Sequence, residues 1–146
     1  MRSGPDSLRP VTRLRVNVDG GARGNPGPAA IGVVIRSGEE VVGELSERIG
    51  EATNNVAEYR ALLAGIGKAF ELGATELELV GDSELVVRQV RGEYKVKNAG
   101  IKPLHAEVLE ALEGFDSWTI EHVRREENAE ADALVNQALD AGGTAP

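Results

Sequence analysis

Cysteine is absent from this 146-residue chain. That excludes disulfides, thiolate metal sites and cysteine nucleophiles together, and it fits a reducing compartment. Aromatic residues make up only 3%, so a core has to be built from Val, Leu, Ile and Ala, which a 41% hydrophobic share can supply. Long apolar runs are missing too. The longest uncharged stretch, residues 24–35, is rich in Gly and Pro and too short to cross a bilayer. Residues 1–10 have no apolar centre of the kind a signal peptide needs. The expectation is a soluble, cytoplasmic, monomeric protein with no membrane partner. Positive charge is also in deficit: the net charge is −8, which argues against generic, charge-driven binding of nucleic acid. The deficit is uneven, because Arg88, Arg91, Lys95, Lys97 and Lys102 face only Glu93 within residues 88–102, a local +4.

The length favours one domain. Residues 12–141 carry the periodic patterns. Residues 1–11 read as a disordered N-terminal tail and 142–146 as a C-terminal tail. Leu14, Val16 and Val18 alternate with Arg15, Asn17 and Asp19, which predicts a strand. A Gly- and Pro-rich turn follows over residues 20–28. Residues 30–36 and 41–49 then predict two more strands around the Ser37-Gly38 turn, giving an antiparallel meander. Thr53 and the asparagines after it suit a helix start, Leu62, Ile66, Ala69 and Phe70 supply its apolar stripe, and Gly73 suits its end. A fourth strand over 75–80, a short helix over 84–91 stopped by Gly92, a helix over 103–115 and a fifth strand over 117–123 follow. The strand–helix–strand order implies a parallel crossover. Asn128 reads as the cap of a last helix with stripe Ala131, Leu134, Val135, Ala138 and Leu139, closed by Gly142-Gly143. The expected fold class is α/β: one five-stranded mixed sheet, three strands antiparallel and two parallel, flanked by helices.

Four acids sit in unusual settings. Asp19 ends a strand beside glycines, where an ordinary turn aspartate is the competing reading. Glu58 lies one turn before Leu62, on or beside a buried stripe, with no basic residue at positions 54, 55, 61 or 62 to pair with it. Asp82 sits at a strand-to-helix junction, where it could equally cap the helix. Asp132 falls near the start of the last helix, where a helix-dipole role competes. Taken jointly, four oxygen ligands without His or Cys suit a hard cation, Mg²⁺ or Mn²⁺. Two such ions about 3.5–4 Å apart form the usual device for in-line phosphodiester displacement.

Four blocks then carry a resemblance: residues 19–28 (DGGARGNPGP), 53–58 (TNNVAE), Asp82-Ser83, and 125–134 (REENAEADAL). In this order and at this length, the chain resembles type 1 ribonuclease H from about Leu14 to Ala141. The resemblance implies a five-stranded mixed sheet with helices. It implies hydrolysis of the RNA strand of RNA–DNA hybrids by two Mg²⁺ ions, with Mn²⁺ as a substitute, leaving 5′-phosphate and 3′-hydroxyl ends. The matching catalytic and metal-binding carboxylates are Asp19, Glu58, Asp82 and Asp132, with Glu58 also placed to sense a 2′-hydroxyl. Thr53 matches a phosphate-pocket position. Asn25, Asn54 and Asn55 match minor-groove contacts, and Gly20 and Gly21 would let backbone approach the RNA. Ser83 and Asn128 complete the implied substrate-binding set.

The chain departs from the family pattern twice. It is too short between Gly92 and Pro103 for the basic protrusion many members carry, and Lys95 and Lys97 beside Tyr94 are the candidate replacement. It also lacks a histidine in the loop before the last acid. That loop offers Arg124 and Arg125 instead, with Arg125 the candidate phosphate contact. Members with arginine here sometimes attack double-stranded RNA. Three readings therefore stay open: an RNA–DNA hybrid endonuclease, a non-catalytic hybrid-binding module, and a same-fold nuclease that also cleaves double-stranded RNA.

Overall fold

The computed structural model describes residues 11–143. The tail expected over residues 1–11 thus lies, except for Val11, outside the described residues, as does the C-terminal tail beyond residue 143. In chain order the elements are β1 (Arg13–Ala22), β2 (Gly27–Ser37), β3 (Glu40–Ala52), α1 (Asn54–Glu71), β4 (Glu76–Gly81), α2 (Glu84–Arg91), α3 (Lys102–Leu112), β5 (Ser117–His122), a 3-10 turn (Arg125–Asn128) and α4 (Ala129–Gly143). They form one sheet in the order β3-β2-β1-β4-β5. The first three strands pair antiparallel, and β4 pairs parallel with both β1 and β5. This is the mixed α/β architecture the patterns predict.

The alternation in β1 decides which face is dry. Val16 stands opposite Ile35 and Val18 opposite Val33, and all four are buried. Helix α1 lays Tyr59, Leu62, Ile66 and Ala69 over them. Gly65 permits the close approach, since a Cβ there would stand 2.8 Å from the Val16 side chain. Leu77 and Leu79 of β4, Val86, Val87 and Val90 of α2, Val108 and Leu112 of α3, and Ile120 of β5 complete this core. The opposite face is covered by α4 through a smaller cluster of Ala30, Val135, Ala138 and Leu139.

Several boundaries differ from the expectation, each for a local reason. The turn predicted from residue 20 begins only after Ala22, because Gly20, Gly21 and Ala22 continue β1 and pair with Ile31, Ala30 and Ala29. Helix α3 stops at Leu112. The next three N–H groups bond to carbonyls three residues back (Glu113 to Glu110, Gly114 to Ala111, Phe115 to Leu112), so the last turn tightens. The pair Gly142-Gly143 belongs to the end of α4, inside the span read as tail. Thr53 caps α1, its Oγ1 accepting from the Val56 N–H at 3.2 Å. Ser83, not Asp82, caps α2, accepting from the Val86 N–H at 3.3 Å. Asp82 is therefore released from the capping role that competed for it. Gly92 ends α2 in the left-handed conformation with φ 84°.

Candidate active site

The site arises where β1 outruns β4. Pairing with β4 ends at Asn17 opposite Val80, whereas pairing with β2 continues to Ala22. Past that point, β1 backbone groups on the β4 side have no strand to bond. Side chains take them instead: the Val18 carbonyl accepts from Asn128 Nδ2 at 2.8 Å, and the Gly20 N–H donates to Glu58 Oε1 at 2.5 Å. Asp19 lies between these two anchored groups. It and Glu58 are 7% and 6% exposed, and Asp82 emerges half-buried from the end of β4.

Two glycines bring the neighbouring helices down onto this point. A Cβ on Gly20 would stand 2.2 Å from the Ala57 carbonyl oxygen, so Gly20 admits the turn of α1 that carries Glu58. A Cβ on Gly32, which pairs with Asp19 across β2, would stand 2.2 Å from the Ala131 carbonyl oxygen, so Gly32 admits the turn of α4 that carries Asp132. Gly20 is thus a packing glycine, buried against α1. Gly21 is half-buried, with room for a Cβ.

Carboxylate oxygens of Asp19, Glu58 and Asp82 lie within 4.8 Å of one another. Asp132, half-buried on α4, stands outside this close group, and its charge still reaches both Asp19 and Asp82. Burial is the main force lifting the Asp19 carboxyl to about 7, with the charges of Asp82 and Asp132 adding to it and a hydrogen bond with Glu58 opposing. Burial, then the Asp19 charge, holds Glu58 well above the ordinary carboxyl range against the Gly20 N–H. Asp82 is also raised by burial and by Asp132, against the Arg125 charge and a hydrogen bond from Asn128. Like charges this close and this dry share protons unless a cation joins them. The donor set is all oxygen, which fits a hard divalent ion.

The substrate-binding candidates divide into reaching and bracing residues. Asn25 Oδ1 accepts from the Asn54 N–H at 3.0 Å, and Asn54 Oδ1 accepts from the Ala22 N–H at 2.9 Å. This reciprocal latch fixes the β1–β2 turn against the start of α1, beside exposed Thr53 and Asn55. Lys95 and Lys97 are exposed on the loop after α2, and partly buried Val96 between them anchors it to the core. The Arg88 guanidinium lies 5.4 Å over the Tyr94 ring on the same loop. Arg125 is exposed, and its charge reaches Asp82. Asn128 is 2% exposed and offers no surface to a substrate; nor does it cap α4, since its amide is spent on β1. His105 lies in α3, its Nε2 3.0 Å from the Gln89 carbonyl oxygen and its ring edge-on to Tyr59. His122 is exposed at the end of β5. Sequence reasoning missed Gly32 and Asn17. A lone glycine inside an apolar strand was the available signal for the first. Asn17, on the Asp19 face two residues earlier, had no such signal.

A mixed sheet of this order with a carboxylate group at its open end defines a class of α/β domain, and the reverse transcriptase-like family matches residues 17–138. Ribonuclease HI of Halobacterium salinarum is 46% identical over 129 residues, covering 88% of this chain and 65% of that protein. The crystal structure of RNase H1 from the same archaeon aligns with a TM-score of 0.86 at 45% identity, covering 88% of this chain and 98% of that one. LC11-RNase H1, isolated from compost and solved in complex with an RNA/DNA hybrid, aligns at 0.85 and 42% identity, covering 90% and 99%. The chain belongs to the type 1 ribonuclease H family. It spans less than two thirds of the length of the first curated relatives it matches, 65% of the archaeal protein and 36% of the mycobacterial ones. Among the described residues no helix is long and apolar enough to cross a membrane.

Proposed function

We propose that this domain is an endoribonuclease that hydrolyses the RNA strand of RNA–DNA hybrids and leaves 5′-phosphate and 3′-hydroxyl ends. The observation that carries the reading is the group of carboxylates from buried Asp19 and Glu58 and half-buried Asp82 within 4.8 Å, with Asp132 beside it. Membership of the ribonuclease H family, and the hybrid bound to LC11-RNase H1, support the substrate class. Two Mg²⁺ ions held by these four acids, or Mn²⁺ in their place, would supply an activated water and neutralise charge on the departing 3′-oxygen. Asp19, fixed on β1, and Asp82, at the end of neighbouring β4, would hold the ions. Glu58 is held by the Gly20 N–H, and its other carboxylate oxygen would serve the ion and the RNA 2′-hydroxyl. Arg125 offers an exposed cation beside Asp82 for the phosphate. The Asn25–Asn54 latch uses both amide oxygens, so their Nδ2 groups are the donors for sugar and base edges. Thr53 and Asn55 lie on the same rim, and exposed Lys95 and Lys97 beside Tyr94 are the proposed phosphate contacts of the loop after α2.

The test is one assay with end-labelled hybrid, double-stranded RNA and double-stranded DNA, each with Mg²⁺ or Mn²⁺. Hybrid cleavage in the RNA strand is the expected result, and Asp82→Asn is expected to abolish it while the fold is retained. Near-normal turnover by that variant would sink the assignment. Binding of hybrid without cleavage would favour the binding-module reading, and equal cleavage of double-stranded RNA would broaden the substrate class.

A further inference from the structure

Among the described residues Asn128 is one of four buried polar or charged side chains, and it bonds β1 at two successive residues beside the site. Its Nδ2 donates to the Val18 carbonyl, the residue before Asp19. Its Oδ1 accepts from Asn17 Nδ2 at 3.0 Å. The same amide stands near enough to the Asp82 carboxylate to favour its ionised form. One N–H and the oxygen are thereby used, and only one orientation of the amide allows both bonds. With oxygen and nitrogen exchanged, an acceptor would face the Val18 carbonyl and a donor would face the Asn17 amide nitrogen. Asn17, half-buried on β1, supplies the one donor that prevents this exchange.

Position along the chain gives the contact its reach. Residues 18 and 128 are 110 apart in sequence, and their bond joins the strand carrying Asp19 to the entrance of the helix carrying Asp132. Asp132 follows Asn128 by four residues, about one helical turn, so the anchor at 128 sets the height at which Asp132 meets the cluster. We propose that Asn128, oriented by Asn17, is a positioning residue that holds Asp19, Asp82 and Asp132 in register for divalent-ion binding. This rests on the reading of the four acids as a metal site.

Two variants test it, Asn128→Ala and Asn17→Leu, the second of similar volume and without the donor. In both, the Mg²⁺ concentration for half-maximal hybrid cleavage should rise about tenfold, as for other residues that orient metal ligands. The KM for hybrid should stay within about twofold. Independently of turnover, the rise in Tm that Mg²⁺ produces in the wild type should shrink in both. A lower metal-free Tm with unchanged Mg²⁺ dependence would reduce Asn128 to a packing residue and overturn the proposal. A raised KM with unchanged Mg²⁺ dependence would make it a substrate contact and overturn it equally. If Asn128→Ala does not fold, Asn17→Leu alone decides between these outcomes. A wild type that responds to Mg²⁺ in Tm but cleaves no hybrid would count against the nuclease reading, while the Tm comparison would still decide the role of Asn128.

Discussion

On one side of the sheet, α1, α2 and α3 seal a continuous apolar core that runs from Leu14 to Ile120. On the other, α4 packs its Val135, Ala138 and Leu139 against Ala30 in a small apolar cluster, to which polar bonds are added. The Ser46 hydroxyl donates to the Leu134 carbonyl at 2.7 Å, Arg36 forks onto Glu130 at 2.7 and 2.8 Å, Arg23 reaches Asp140 at 2.7 Å, and Asn128 bonds β1. The difference teaches where the molecule keeps its stability and where it keeps its chemistry. The α1 face can carry a buried Glu58 because the surrounding core is strong enough to bear it. The α4 face places Asp132 through directional bonds, which set orientation while adding little net energy.

Truncating the two faces separates them most sharply. Leu62→Ala, in the large core, should lose about 2–5 kcal/mol of folding stability. Val135→Ala, under α4, should lose about 1–2 kcal/mol. Urea titrations of both variants check the pair, and equal losses would break the comparison.

Next in size is the electrostatic load at the carboxylates. Asp19 and Glu58 have raised pKa values in the folded protein, so between about pH 4, where carboxyls titrate when unfolded, and about pH 7 the folded state binds more protons. Metal-free stability should therefore be greatest at the acid end of this window and fall as pH rises through it, by an amount on the order of a few kcal/mol. Asp19→Asn should flatten the profile and stabilise the metal-free protein at pH 8, and saturating Mg²⁺ should do the same for the wild type. Thermal melts across pH with and without Mg²⁺ read both effects; stability that rises from pH 4 to 7 would contradict the assignment.

The smallest effect belongs to the surface fork on α4. Arg36 and Glu130 have side chains 25% and 64% exposed, so Arg36→Ala should cost less stability than either core truncation. A double-mutant cycle with Glu130→Ala measures the pair itself, and a coupling as large as the Leu62→Ala loss would mean that polar bonds stabilise α4 as firmly as apolar packing holds α1.

The sequence by itself determined the elements, the mixed topology and the four acids. Those signals are local or periodic: alternation in residues 14–19, the helical stripe from Leu62 to Phe70, glycine at the end of α2, and carboxylates at element ends. The block matches added the family. Only the tertiary structure decided which residues reach and which brace. Gly20 and Gly32 read as turn and strand glycines until the carbonyls of Ala57 and Ala131 are seen 2.2 Å from where a Cβ would stand. Asn128 read as a cap or a substrate contact until its amide was found bonded to Val18 and Asn17. Asp82 competed for the role of cap until Ser83 took it. In the glycine and asparagine cases the deciding partner lies between 37 and 111 residues away. A side chain's identity limits what it can bond or exclude, but only folding selects the distant group it meets.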